Sequence, residues 1–280
     1  ARDYALNKIN SRIPVHIALK GLKISFFSGK VELNDVSIES HLQEKLIEAE
    51  GLSLDISLMA LFQKNLLIED LRITTPRVLL KIDQEGNLNL IKAFRPDPAE
   101  ADKTSKKEPA SDIPFNILAD RLIITDGSLE YLQEKNGGKD ALIFQGVDLT
   151  VTDGNLKDLY AGLELRIREA QIELGNIKQT MNQFLFDATL SKNTISDISL
   201  SLISGATSLQ TSGTINNLTT SPSVDADIRL KTSLEEMTRV VPLQQNLTGP
   251  VDLNLKFLGT VNNPEITLDL NYGGGTLEGF

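Results

Sequence analysis

Apolar and polar residues alternate along most of this chain, and this alternation limits the folds that it can adopt. The stretch that begins at Val251 reads Val-Asp-Leu-Asn-Leu-Lys-Phe, with apolar and polar side chains in strict turn. The same alternation recurs at residues 163–167, 184–190, 198–202, 224–230 and 266–270. Because strand side chains point to opposite faces with a period of two, each stretch predicts a strand with one apolar face. We therefore predict a mainly β protein.

The first part of the chain shows shorter alternating stretches that glycine and proline residues separate. They lie at residues 22–26, 31–33, 36–38, 52–56, 71–73 and 78–82. A spacing of roughly 8–12 residues between strands is typical of an antiparallel meander. Over the whole chain, the pattern predicts about fifteen to eighteen strands.

Three short helices are predicted among these strands. Residues 3–13 place apolar side chains near helical spacing and stop before Pro14, and residues 57–63 fit a single turn. Residues 233–241 begin at Ser233, a residue type favoured at helix N-termini, and are followed by Pro242. Such short helices leave most of the sheet to be covered by something else.

The stretch 95–114 interrupts the alternation. It contains four prolines, a lysine pair and several small polar residues, so it has little apolar area to bury. We predict a flexible linker or long loop there, between an N-terminal segment at 1–94 and a C-terminal segment at 115–280. Within the latter, Gly-Thr-Ile-Asn-Asn at 213–217 returns as Gly-Thr-Val-Asn-Asn at 259–263, which suggests repeat-like units.

Composition excludes several classes of protein. The net charge of −10 argues against nucleic-acid binding, which needs clustered lysine and arginine. The absence of cysteine excludes a disulfide scaffold, cysteine-based zinc sites and cysteine nucleophiles. No run of apolar residues reaches the roughly 18 needed to span a membrane as a helix.

So many strands with one apolar face cannot form a flat open sheet. Sheets rarely exceed about ten strands without curling or splitting, so a folded-over trough, a sandwich and a wide barrel all stay open. We favour a long, strongly curved antiparallel sheet folded into an elongated trough whose apolar groove is left for a hydrophobic ligand. The predicted lipid-groove residues are Leu71, Ile73, Val78, Leu80, Leu163, Leu165, Phe184, Phe186, Leu253, Leu255 and Phe257.

Several motifs resemble those of the AsmA-like family of Gram-negative envelope proteins, the AsmA/TamB type. A segment at 126–131 reads Asp-Gly-Ser-Leu-Glu-Tyr, and the tail at 242–264 is similar to the C-terminal repeats of the family. The longest motif is Leu71-x-Ile73-x-x-Pro76-x-Val78-x-Leu80-x-x-Asp83-x-x-Gly86-Asn87-Leu88-Asn89-Leu90. The shared order of these motifs, over most of the chain, carries the resemblance.

The resemblance implies a location and a function. AsmA-like proteins are related to chorein-type bridge-like lipid transfer proteins, and they are thought to carry phospholipid along a hydrophobic groove across the periplasm. An N-terminal helix anchors them in the inner membrane; this sequence lacks it, so we expect a fragment or a small member. The implied partners are phospholipid or another acyl-chain lipid and the inner membrane through that missing anchor, with an outer-membrane protein as a further candidate.

Motifs of catalysis are not found in the sequence. It has no Gly-x-Ser-x-Gly, phosphate loop or EF-hand spacing, and neither His16 nor His41 has a neighbouring ligand pattern. We therefore predict no enzymatic activity, no cofactor and no metal site. Two alternatives to lipid transfer stay open: a scaffold for outer-membrane protein assembly that acts by sheet-edge pairing, and a secreted β-helix or adhesin-like protein.

Overall fold

Strands dominate the structure, as the alternation predicts. The computed structural model describes residues 2–11, 13–41, 43–62, 65–94, 116–135, 138–155, 160–175, 177–240, 246–260, 262–274 and 277–278. The strands of the first half are β1 His16–Ala18, β2 Gly21–Ser25, β3 Lys30–Glu39, β4 Lys45–Ile56, β5 Asn65–Thr74, β6 Arg77–Ile82, β7 Asn116–Lys135 and β8 Gly138–Asn155. Those of the second half are β9 Tyr160–Leu174, β10 Ile177–Met181, β11 Gln183–Ser191, β12 Thr194–Ser204, β13 Thr207–Asn216, β14 Ser223–Ser233, β15 Asn246–Leu247, β16 Pro250–Thr260, β17 Asn263–Tyr272 and β18 Leu277–Glu278.

Four short helices interrupt the strands within the described residues, and three of them confirm predictions. The helices are α1 Arg2–Asn10, α2 Leu58–Phe62, α3 Asn89–Phe94 and α4 Leu234–Val240. The backbone N–H of Glu236 donates to the Ser233 hydroxyl at 3.3 Å, so Ser233 caps α4 as predicted. The sequence analysis missed α3, since it predicted no helix between residues 63 and 233.

Sixteen strands form one mixed sheet, and β15 pairs separately with β18. This confirms the mainly β fold class with its few small helices. The predicted curling of the sheet into a trough stays a prediction.

One pairing corrects the expectation of a wholly antiparallel sheet. Strand β7 lies parallel to both β5 and β6, whereas the other registers seen in the sheet are antiparallel. Parallel neighbours need a long crossover between them, and the chain from 83 to 115, which includes α3, supplies that length. The alternation of apolar and polar residues is the same in parallel and antiparallel strands, so it could not predict the parallel pairing of β7.

The chain divides into two compact units, Ala1–Asp148 and Leu149–Phe280. In the first, the order is β1 and β2 end to end beside β3, then β4, then β5 and β6 end to end beside β7. In the second, the order is β9, β11, β12, β13, β14, β16 and β17, with β10 also paired to β9. The predicted linker at 95–114 lies outside the described residues, and the division into 1–94 and 115–280 stays a prediction.

The first unit has a small hydrophobic core at one end of its sheet. Val15, Leu46 and Ala93 are buried there, and Leu46 is the one large side chain among the described residues with less than 2% exposure. Ile13 and Leu90 pack against the cluster, so the chain after α1 and helix α3 both contribute to it. The core therefore covers only part of the apolar surface that the strands create.

Candidate functional site

The strand register of the second unit places apolar side chains in three rows that cross seven strands. The rows run along Ile167–Phe184–Leu202–Leu209–Leu230–Leu253–Leu270, Leu165–Phe186–Leu200–Thr211–Ile228–Leu255–Leu268 and Leu163–Ala188–Ile198–Gly213–Ala226–Phe257–Ile266. We call these residues the apolar face of the second unit. With about 4.8 Å between strands and about 6.7 Å between rows, the face measures about 29 Å by 13 Å.

Among the described residues, no second layer of side chains covers this apolar face. Of its members, Ala188 alone is buried, at 5% exposure, and the leucine and phenylalanine side chains on its inner strands stay partly exposed. On β17 the exposure rises to 55% for Ile266 and 57% for Leu268 and Leu270. Apolar side chains packed in a protein core touch neighbours on all sides and lose nearly all their exposure. The face therefore differs from a sandwich interior.

The opposite face of the same strands is polar and matched in charge. In the register of β14 with β16, Asp227 lies opposite Lys256, and Lys231 lies opposite Asp252. Opposite charges at directly facing positions stabilise a sheet, and like charges there would destabilise it. The pairing thus favours the register that collects the apolar side chains on the other face.

In the first unit, the predicted groove residues also share one face. Leu71 and Ile73 on β5 lie between Leu54 and Leu52 of β4 on one side and β7 on the other. On β6, Val78 pairs with Leu129. All of these side chains are partly exposed.

A line of irregular backbone separates β5 from β6 and crosses the neighbouring strands at the same level. Asp35 on β3, Thr75 between β5 and β6, and Asp126 on β7 adopt φ of 50°, 50° and 56°. Asp35 lies between Asn34 and Val36, which pair with Gly51 and Ala49 of β4. Thr75 and Asp126 lie between two pairs of β5 and β6 with β7, Thr74 with Thr125 and Arg77 with Ser128. Because β4 also pairs with β5 and β6 on either side of this level, the three residues lie in register. We call the line through these three residues the bulge row.

The bulge row keeps the apolar side chains on one face. Along each strand, the spacing of apolar residues is two, then three across the row, then two again. The apolar series are Val31, Leu33, Val36, Ile38 on β3; Ile47, Ala49, Leu52, Leu54 on β4; Leu71, Ile73, Pro76, Val78 through β5 and β6; and Leu122, Ile124, Gly127, Leu129 on β7. Without the extra residue, side chains beyond the row would point to the opposite face.

Close packing fixes the bulge row. A Cβ at Gly127 would lie 3.2 Å from both the Pro76 Cγ and the Val147 carbonyl oxygen, so a larger residue would require these neighbours to shift by a few tenths of an ångström. The N–H of Asp126 donates to the Asp148 carboxylate at 2.8 Å, and the hydroxyl of Thr75 donates to Glu50 at 3.2 Å. Polar side chains thus satisfy the backbone and one another along the row.

The polar face of the first unit carries a shared ion pair. The half-exposed guanidinium groups of Arg72 and Arg121 both donate to the carboxylate of Asp70, and the Arg121 Nε to Asp70 Oδ1 distance is 2.6 Å. Burial raises the pKa of Asp70, but the hydrogen bonds from both arginines outweigh it and hold that pKa below its ordinary value. The cluster ties β5 to β7 across the parallel pairing.

The clefts on the surface of each unit lie among polar-face side chains. Those of the first unit have volumes of about 300 and 400 Å³ and those of the second about 590 and 280 Å³. The largest of these four is lined mainly by charged and polar residues of β14, β16 and β17, together with Ile228, Leu230 and Leu255. Polar residues thus predominate in the lining of these clefts, whereas the apolar face of the second unit consists mainly of hydrophobic side chains.

The Asp83 motif forms a turn that holds α3 against the end of β6. The Asp83 carboxylate accepts hydrogen bonds from the N–H groups of Asn87 and Glu85 at 2.9 and 3.0 Å and from the Lys92 ammonium. The hydrogen bond from Lys92 and those from the backbone lower the pKa of Asp83 to about 2. The motif that resembles the family thus has a structural role.

Asn89 completes this turn. Its side-chain oxygen accepts from the N–H of Lys81 at 2.9 Å, and its amide donates to the carbonyl of Leu79 at 3.1 Å. The side chain thereby replaces a neighbouring strand along part of β6. The same oxygen lies 2.8 Å from the N–H of Leu90, at the start of α3.

The structure brings the eleven predicted groove residues into two sets. Across β9 and β11, Leu165 faces Phe186, whereas Phe184 faces Ile167 and Leu163 faces Ala188. On the other side of the second unit, Leu253, Leu255 and Phe257 on β16 belong to the same three rows. The remaining four lie on β5 and β6 of the first unit. Whether any of them contacts a lipid stays a prediction.

Sequence reasoning missed the middle of the apolar face and the bulge row. Leu209, Leu230 and Ile228 belong to the rows, yet they were left out of the predicted groove. The two-three-two spacing of apolar residues was visible in the sequence and could have located the row, because each strand carries its extra residue at a matching place.

The described residues contain neither a metal-binding cluster nor a membrane-spanning helix. No group of three histidine, cysteine or acidic side chains there is arranged to hold a metal ion. Among the same residues, no helix combines the length and the apolar character needed to cross a lipid bilayer.

Comparison with known proteins places the chain in a family. No curated protein matches it at a significant level. The model of the AsmA family matches residues 2–267, which is nearly the whole sequence. The match includes the Asp83 turn, the bulge row and all of the apolar face of the second unit except Leu268 and Leu270. The chain belongs to the AsmA family.

Proposed function

We propose that this protein is a non-enzymatic lipid-binding protein that carries phospholipid along the apolar side of its sheet. The observation that carries the proposal is the apolar face of the second unit, three rows across seven strands, left partly exposed. Membership of the AsmA family supports an envelope role in lipid transport or assembly. The transfer runs between the inner and outer membranes and serves outer-membrane homeostasis.

The chemistry of the apolar face suits acyl chains. Its side chains are mostly aliphatic, three are phenylalanine, and Thr211 is the one polar member of the three rows. A surface without directed polar groups binds a ligand through the hydrophobic effect, and the free energy gained is about 25 cal/mol per Å² of apolar surface removed from water. Each methylene of an acyl chain that it covers contributes about 0.8 kcal/mol. Such a face binds tails without selecting a headgroup.

The rows also give a path along which tails can pass. Neighbouring members of a row lie on adjacent strands, so a tail that moves from one strand to the next meets equivalent side chains. Because the contacts at each step are similar, no single position holds the lipid much more tightly than the next. This property favours conduction over permanent storage.

The proposed location is the periplasm, with the full-length protein anchored to the inner membrane. The association of the AsmA family with the bacterial envelope supports this location. The net charge of −10 fits a protein whose bulk stays away from anionic bilayer surfaces.

Native mass spectrometry of the purified protein tests the proposal. We expect phospholipid to copurify and to be removed by delipidation, after which added phospholipid should bind again. A protein that is free of lipid after gentle purification and takes up none from mixed micelles would contradict the proposal.

A second candidate function is a scaffold that pairs with strands of outer-membrane proteins. The observation that favours it is β17, whose ten residues are all exposed and which pairs with β16 and with no other described strand. An exposed edge of this length can accept another strand. Photo-crosslinkers at Leu255 and Thr267 separate the two functions: a conduit traps phospholipid at Leu255, whereas a scaffold traps a protein at Thr267.

A further inference from the structure

The turn between β2 and β3 presents two large aromatic side chains directly to solvent. Phe26 is 78% exposed and Phe27 is fully exposed, the most exposed of the large hydrophobic residues described. The central positions of tight turns favour glycine, proline, asparagine, aspartate and serine. Two consecutive phenylalanines there break this local rule, and such departures concentrate at functional sites.

Hydrogen bonds and close packing fix the backbone of the turn that carries these rings. The N–H and the hydroxyl of Ser28 both donate to the carbonyl of Ser25, at 3.2 and 3.4 Å, which closes the turn around the two rings. The next residue, Gly29, has φ of 71°, and a Cβ there would lie 2.1 Å from the carbonyl oxygen of Ile56. The N–H of Ile56 donates to the Gly29 carbonyl at 3.1 Å. The tip is therefore anchored to β4.

The surroundings of the turn favour a lipid surface as its partner. Ile24, the last apolar residue of β2, is 46% exposed and continues the apolar side of the sheet toward the rings. Lys23 and Lys30 flank the turn with side chains 72% and 40% exposed, and Glu32 contacts both of them. Aromatic rings with nearby lysines match the interfacial region of a bilayer, where rings enter the acyl boundary and ammonium groups meet phosphates.

We propose that this turn, Ser25–Ser28, is a membrane-contact site that inserts Phe26 and Phe27 into the surface of a phospholipid bilayer. The site goes beyond lipid binding by the apolar face, because it brings an outer edge of the first unit to a membrane. Since Glu32 offsets much of the lysine charge, the contact is chiefly apolar and depends little on anionic lipid. A protein pocket that takes the two rings is the competing possibility.

The absence of tryptophan from the sequence allows a direct test. In Phe27→Trp, the one indole of the protein sits at the tip, whereas in the control Tyr160→Trp it sits on the polar face of β9, at a position 43% exposed. Both variants are mixed with phosphatidylcholine vesicles, with and without phosphatidylglycerol. We expect a blue shift of emission and quenching by brominated lipid for Phe27→Trp and for it alone.

The remaining outcomes decide against the site. Unshifted emission of Phe27→Trp with both kinds of vesicle would overturn it and would leave a protein partner for the turn. A shift in both variants would indicate general adsorption and would overturn it as well. Vesicle flotation of Phe26→Ser and Phe27→Ser should show about tenfold weaker binding for each ring removed. Phospholipid that copurifies with these variants as with the unchanged protein would show that the apolar face works without the tip.

Discussion

The substitution Leu255→Asp tests the apolar face most directly. Leu255 lies in the middle row, between Ile228 of β14 and Leu268 of β17, and is partly exposed. A carboxylate there would have to lose its water when an acyl chain covers it, and burying an unpaired charge is far more costly than losing a methylene contact. We expect phospholipid binding to weaken by at least about 1.4 kcal/mol, which is tenfold.

The fold should survive this substitution. Full burial of a leucine side chain stabilises a protein by about 1.5–3 kcal/mol, and Leu255 obtains only part of this because the face is uncovered. We therefore expect the free energy of unfolding to fall by about 1–2 kcal/mol, measured by denaturant titration. The matched control is Asn254→Asp, which adds the same charge to the same strand on the polar face.

Lipid binding of the two variants is compared by native mass spectrometry and by displacement of a fluorescent phospholipid. Asn254→Asp should bind as the unchanged protein does. If Leu255→Asp stays folded and binds phospholipid equally well, the face is not the lipid-binding surface and the proposed function loses its main support.

Three further substitutions test the supporting structure. Asp83→Asn should remove a stabilisation that is present above the ordinary aspartate pKa and is lost as pH falls through about 2. The unfolding midpoints of the variant and the unchanged protein should therefore converge in acid. A difference that stays constant with pH would contradict the pairing with Lys92. Asp126→Val should cost about 1–2 kcal/mol more than the control Asp126→Asn in denaturant unfolding, because a β-branched residue is strained at φ of 56°, and equal stability would refute the role of the bulge row. Ser233→Ala should cost about 1 kcal/mol through loss of the cap on Glu236, whereas Ser233→Asp should retain it.

Much of the fold follows from alternation because each strand is read from its own residues. The strands of the second unit and the cap at Ser233 needed no information about distant parts of the chain. The pairing of strands across the sheet could not be predicted in the same way. The parallel pairing of β7 with β5 depends on the path of the chain after Ile82, and the alternation of residues does not predict that path.

The candidate site was predictable in kind but incomplete in extent. Leu253, Leu255 and Phe257 were selected because their strand alternates perfectly, whereas Thr211 and Gly213 hide the pattern of β13 and Leu209 was passed over with them. Register supplies what the pattern lacks, since Leu202 and Leu230 on either side place Leu209 in the same row. Phe26 and Phe27 were missed because exposure at a turn cannot be read from a hydrophobic residue type.

The bulge row has a consequence for how this chain can change in length. A single-codon deletion at Asp126 would move the side chains of Leu129 and Tyr131 to the opposite face of the sheet, while the facing stretch of β6 kept its orientation. Strands on either side would then present mismatched faces, although no side chain had been altered. Compensation would require the same loss in every strand that meets at this level, so we expect length changes here to be inherited in concert or not at all.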